Sequence, residues 1–260
     1  MQVLVVTNRK GGTGKTTLTV NLAAELARSG QRVLLIDLDS QGHCAVALGI
    51  EVRREHATVH DLFTVPEATL SDCLCETGIA NLWLAPADPL FDHGDGERND
   101  SRLRQALSDE HLASRFDVVL IDTPPSLDAL LVNGLMAARH VLVPFVPHHL
   151  SFEGVRQLAR SLYPVMTKHN RQLKILGFVP MMAAEHIRQH REITNRVGHD
   201  FGEAKILPAI RNDIRLAEAT AVGKSIRQYS PRCRGAQDFA ALARDISERL
   251  GLNARLARTA

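Results

Sequence analysis

Eight consecutive residues, Lys10-Gly11-Gly12-Thr13-Gly14-Lys15-Thr16-Thr17, constrain this chain more than any other stretch. Glycines let backbone N–H groups close round an anion, a lysine reaches terminal phosphates, and a hydroxyl serves a magnesium ion. Gly11, Gly12, Gly14, Lys15 and Thr16 meet that need. The ordinary pattern has another glycine five residues before Gly14, but Arg9 stands there and Lys10 follows it. The loop is therefore a deviant one, carrying a lysine beyond what the phosphates require.

The surroundings suit such a loop. Residues 3–7 are an apolar run that predicts a strand feeding the loop. Residues 16–29 predict a helix with Leu18, Leu22, Ala23 and Leu26 on one face, stopped by Gly30. Strand, glycine loop and helix N-terminus direct backbone donors and the helix dipole at one phosphate. A second apolar strand, 33–36, runs into Asp37-Leu38-Asp39-Ser40-Gln41-Gly42, and a third, 118–121, into Asp122-Thr123-Pro124-Pro125. In open α/β sheets ligands bind at the carboxyl ends of strands, so Asp39 and Asp122 should face the same phosphates as Lys15. Asp122 then holds magnesium through water and Asp39 orients the attacking water; the alternative is that both merely start turns or cap helices.

Further strands are expected at 141–145, 174–179 and 205–207, and helices at 126–138, 151–163 and 236–250. Strand and helix alternate throughout. The expected fold class is α/β, a doubly wound, mainly parallel sheet with helices on both faces, in one domain over residues 1–260.

Four segments together resemble the ParA branch of the ParA/MinD ATPases: the deviant loop, residues 37–42, Ile121-Asp122-Thr123-Pro124-Pro125-Ser126-Leu127, and Ile210-Arg211-Asn212-Asp213-Ile214-Arg215-Leu216-Ala217-Glu218-Ala219. The likeness runs over nearly the whole chain. It implies that Lys10 is a signature lysine crossing a dimer interface to the partner's ATP, and that Asp39 is the hydrolytic aspartate. It implies, too, that Thr16, with Asp37 and Asp122, forms the magnesium group. Lys15, Gly11, Gly12, Thr13, Gly14, Thr16 and Thr17 would hold ATP, and Pro208 and Asn212 would touch the adenine. The family commonly has proline and asparagine where Ser40 and His43 stand, positions that carry no chemistry. A second cation has a physical purpose: the phosphoryl-transfer transition state spreads negative charge over its oxygens, which Lys10 would stabilise beside Lys15. Without the neighbouring motifs, Lys10 would read as a solvated lysine at a strand end.

At 260 residues and 45% hydrophobic content the chain can bury a sizeable core. No apolar run approaches the roughly 18 residues of a membrane span, so a cytoplasmic protein is expected, and the resemblance implies that it associates with the nucleoid. Cys44, Cys73, Cys75 and Cys233 lack the spacing of a zinc ribbon or disulfide frame. His186 and His190, and the adjacent His148 and His149, lack a metalloprotease glutamate and read as surface or structural.

The net charge of +2 hides an asymmetry: 12 Lys and Arg meet 19 Asp and Glu in residues 1–150, whereas 19 meet 10 in residues 151–260. A basic half suggests a polyanion. The resemblance implies non-specific DNA gripped by Arg211, Arg215, Lys224 and Arg227, aligned only in the ATP homodimer, and a ParB-like cargo adapter that stimulates hydrolysis. Phosphate contacts add, so doubling them raises affinity without base readout. Three rivals stand beside this reading. A MinD-like membrane regulator would use the apolar stripe Phe239, Leu242, Ile246 and Leu250. An iron–sulfur electron-transfer ATPase needs a cysteine soon after Asp122, and 122–145 holds none. A tyrosine kinase needs a tyrosine-rich tail, which Tyr163 and Tyr229 do not make. The Asp- and Gly-rich stretch 86–100 is expected to be a long exposed loop.

Overall fold

Strict alternation along doubly buried strands decides the architecture. The computed structural model describes residues 1–91, 99–184 and 186–252, so residues 92–98 of the 86–100 stretch and Leu256 in the tail lie outside the described residues. The strands are β1 (Gln2–Val6), β2 (Val33–Asp37), β3 (Cys75–Glu76), β4 (Leu82–Ala85), β5 (Val118–Asp122), β6 (His140–Phe145), β7 (Lys174–Ala183) and β8 (Ile210–Arg211). They form one sheet in the order β3-β4-β2-β5-β1-β6-β7-β8, parallel except where β3 runs against β4. In β1, Val3 and Val5 enter one apolar core while Leu4 and Val6 enter another on the opposite face. Such alternation is what a sheet covered on both sides demands.

Helices α1 (Lys15–Arg28), α2 (His43–Leu48), α3 (Asp61–Thr64), α4 (Arg102–Leu107), α5 (Glu110–Arg115), α6 (Ala129–Ala137), α7 (His149–Pro164), α8 (Arg188–Phe201), α9 (Arg215–Ala221), α10 (Ile226–Tyr229) and α11 (Arg234–Leu250) supply the covers. The predicted face of α1, Leu18, Leu22, Ala23 and Leu26, is fully buried. Against the same core lie Phe239, Leu242 and Ile246 of α11. The stripe that could have lain on a membrane is thus covered by the protein itself. Among the described residues no helix is long and apolar enough to cross a membrane.

Three expectations need correction. The helix expected from Ser126 starts at Ala129, because Asp128 caps it: its Oδ1 accepts the Leu131 N–H at 3.0 Å. The helix expected to stop before Pro164 includes that proline and continues as a π-helical turn, Val165–His169. Proline has no N–H to donate, and the turn beyond it closes with an i→i+5 bond, the Asn170 N–H donating to the Val165 carbonyl at 2.7 Å. The strand expected at 205–207 is a 3-10 turn, Glu203–Lys205, followed by a single bridge between Ile206 and Phe178. Leu207 instead folds over Gly177, where a Cβ would come within 2.5 Å of it, so the sheet edge passes to β8.

Candidate active site

Register gathers the acids. Asp37 of β2 pairs with Asp122 of β5, which pairs with Val6 of β1, so both carboxylates reach the edge where β1 becomes the glycine loop. The loop is held from beneath: the Asn8 amide donates to the Pro144 carbonyl at 2.7 Å, and its oxygen accepts the Lys10 N–H at 3.1 Å. The Thr13 hydroxyl donates to the Lys10 carbonyl at 3.2 Å. Gly14, the N-cap of α1, lies in the left-handed region at φ 82° and offers no side chain to the first helical N–H groups. Those donors are left for an anion. They open on a cleft of about 550 Å³ lined by the loop from Gly11 to Thr17 together with Asp39, Ser40, Gln41, His43, Pro124 and Pro125.

Inside it the charges are strained by burial. Desolvation lowers the pKa of Lys15, against the pull of Asp122 and Asp39. Burial pushes the Asp37 carboxyl well above the usual range, and the nearby Asp122 adds to it. Asp122 is raised by burial as well, although it accepts from the Thr16 hydroxyl at 2.6 Å and the Thr19 hydroxyl at 3.0 Å. Asp37 accepts backbone N–H bonds from Asp39 at 3.1 Å and Cys44 at 3.0 Å. Two buried carboxylates beside the Thr16 hydroxyl, with the Cys44 thiol at their side, offer hard oxygen donors that fit a small ion such as magnesium.

Asp39 is partly exposed on the cleft wall, and its Oδ1 accepts the Gln41 N–H at 3.1 Å. Lys10 stands on the exposed rim, its Nζ 3.1 Å from Nε2 of His148. Burial, then Lys10 and His190, lower the His148 pKa, so a neutral ring accepts from the ammonium.

Sequence reasoning missed Thr19, Cys44 and His148. Thr19 was readable, since it lies one helical turn beyond Lys15 and so faces the same strand ends. Cys44, whose thiol is 3.6 Å from Asp122, follows the Asp37–Gly42 segment too closely for periodicity to place it. Nothing near His148 in sequence announces the lysine it meets.

Pro208 and Asn212 do not line the cleft. They sit by β8, where the Asn212 N–H donates to the Ala183 carbonyl at 3.2 Å and its own carbonyl accepts from Arg234. The basic residues expected on DNA divide into two kinds. Arg215 and Lys224 are exposed, although the Arg215 guanidinium lies 3.7 Å from the buried Asp213, and Lys224 flanks a 220 Å³ cavity shared with Thr16 and Thr17. Arg211 is paired with Asp238 at 2.7 Å, and Arg227 with the buried Glu25 at 2.6 Å. Arg227 also donates to the carbonyls of Pro231 and Ala236, so its fork is fully engaged within the fold. Arg227→Ala should therefore cost about 3 kcal/mol of stability, the low end for orphaning a buried charge, because Arg28 still reaches Glu25. Urea unfolding checks this, and an unchanged midpoint would contradict it.

Residues 1–175 match a family model described as an AAA domain. The chain is 35% identical to the chromosome partitioning protein ParA of Caulobacter vibrioides over 254 residues, covering 96% of this chain and 95% of that one. It is 36% identical to the chromosome-partitioning ATPase Soj of Thermus thermophilus, covering 95% and 96%. The septum site-determining protein MinD from Pyrococcus horikoshii, solved with Mg-ADP, superposes with a TM-score of 0.81 at 25% identity, covering 98% and 99%. Likeness of this extent, centred on a glycine loop with a lysine at each end, means that the chain belongs to the ParA branch of the ParA/MinD ATPases.

Proposed function

We infer that this ATPase is a positioning switch: Mg-ATP pairs two copies, the pair coats non-specific DNA, and a cargo adapter resets it by stimulating hydrolysis. The observation carrying this reading is Lys10, an exposed cation on the rim of the cleft whose partner in the single subunit is a neutral histidine. Such an ammonium exchanges one weak acceptor for the γ-phosphate of a second subunit, so nucleotide becomes part of the dimer contact.

Within each cleft the loop N–H groups and Lys15 hold the phosphates, and Thr16, Asp37 and Asp122 hold magnesium. The ion would neutralise charge on the β- and γ-oxygens. Asp39, anchored by the Gln41 N–H, orients water for attack. Arg215 and Lys224 remain to grip phosphates from the basic half, joined by the exposed Arg232. Arg211 and Arg227 act within the fold. The partitioning names of ParA and Soj support cargo positioning as the purpose, and the covered stripe of α11 speaks against a lipid surface.

The test is a gel shift of plasmid DNA at low salt. ATP should retard the DNA with the native protein and fail to do so with Lys10→Ala, while that variant still binds a fluorescent ATP analogue. Co-sedimentation with anionic liposomes, without any DNA shift, would defeat this reading in favour of a membrane regulator.

A further inference from the structure

At the amino ends of the central strands, the edge opposite the phosphate loop, the chain leaves a second open cleft of about 790 Å³. Its chemistry differs from the first. Arg104, Arg139, Lys168 and Arg171 line it, and among the described residues no carboxylate does. All four are exposed, and among the described residues none has an acidic partner at ion-pair distance. Between them lies an apolar floor that includes Val3, Leu107 and Ala138, each buried beneath the cations.

The cleft is built, not left over from loose packing. The Asn170 side chain donates to the carbonyls of Leu135 at 2.9 Å and Ala138 at 2.7 Å, tying the end of the π-helical turn to the end of α6. The Arg139 N–H donates to the Val3 carbonyl at 2.9 Å, and the Arg139 carbonyl accepts the Lys174 N–H at 2.9 Å. The π turn that follows Pro164 is what brings Lys168 to the rim, and irregular turns of this kind recur at functional positions. Crowded cations also bear on the neighbouring His140, whose buried Nδ1 has no hydrogen-bond partner and whose pKa is lowered by burial, Arg139 and Lys174.

We propose that this cleft, lined by Arg104, Arg139, Lys168 and Arg171, binds an acidic peptide segment of a partner protein, its carboxylates on the cations and an apolar side chain on the floor. Guanidinium groups match carboxylates with paired hydrogen bonds. A duplex backbone is the poorer fit, because its phosphates would pair with the cations but leave the apolar floor uncovered. The site is separate from the ATP cleft, so its occupant attaches without competing for nucleotide.

Fluorescence anisotropy with the full chain at physiological salt provides the test. The probes are a short labelled peptide of glutamates broken by two leucines, and a labelled DNA duplex. The native protein should bind the peptide, and Arg139→Ser combined with Arg171→Ser should weaken it at least about tenfold, the scale of losing charge-assisted hydrogen bonds. The ATPase rate and melting temperature of that variant should match the native protein, since neither residue touches the nucleotide cleft or a buried acid. Equal peptide affinity in the variant, no peptide binding by the native protein, or a variant that loses duplex but not peptide would each overturn the proposal.

Discussion

Replacing Lys15 with alanine is expected to abolish turnover, lowering the ATP hydrolysis rate by about a thousandfold or more, which is about 4 kcal/mol of transition-state stabilisation. Lys15 is the buried cation of the loop, and two of the charges that face it are Asp122 and Asp39. Burial already lowers its pKa, so its charge is poorly hydrated and correspondingly strong toward a phosphate. Removing it leaves Asp37, Asp39 and Asp122 without the buried lysine that faces them, and an incoming triphosphate would meet only the backbone N–H groups and hydroxyls of the loop. Fluorescent-nucleotide titration should show ATP affinity falling with the rate, and circular dichroism should show an intact fold, because Lys15 heads a helix whose apolar face is elsewhere. Hydrolysis within tenfold of the native rate would mean that Lys15 does not face the phosphates.

Asp39→Ala separates binding from chemistry. The substitution removes the carboxylate that accepts the Gln41 N–H but keeps the backbone N–H that Asp39 donates to Asp37, so the magnesium group should survive. Loss of a water-orienting base costs about a hundred- to ten-thousandfold in rate. ATP should still bind within a few-fold of its native affinity. Size-exclusion chromatography with ATP should then show a persistent dimer, and that dimer should remain on DNA. Rapid ADP formation by this variant would remove Asp39 from the mechanism. Together the two variants should separate Lys15, proposed as required for occupancy, from Asp39, proposed as required only for its end.

Much of this site is legible in the chain because its parts are local. The glycines of the loop, the apolar strands before Asp37 and Asp122, and the 3.6-residue stripe of α1 each occupy a short window, and each has its own backbone reason. Helix limits were less legible. Ser126 and Asp128 are both good caps, and only the actual Asp128–Leu131 bond chooses between them. Pro164 reads as a stop, yet tertiary packing carried the helix past it through a π turn.

Charge roles were the least legible. Arg215 and Arg227 look alike along the chain, but Arg215 is exposed beside its near neighbour Asp213, whereas Arg227 is locked to Glu25, 202 residues away. Lys10 and His148 are separated by 138 residues, and their contact exists only because β1 and β6 are neighbours.

The sequence alone thus determined the chemistry of the phosphate loop, the doubly wound alternation and the placing of acids at strand ends, since these follow from short-range backbone and periodicity rules. Tertiary structure alone decided which cations are neutralised and which are exposed, and it created the basic cleft at the far edge of the sheet. The reason is physical: a charged group acts through whatever lies within a few ångströms of it, and that neighbourhood is assembled from residues far apart in the chain.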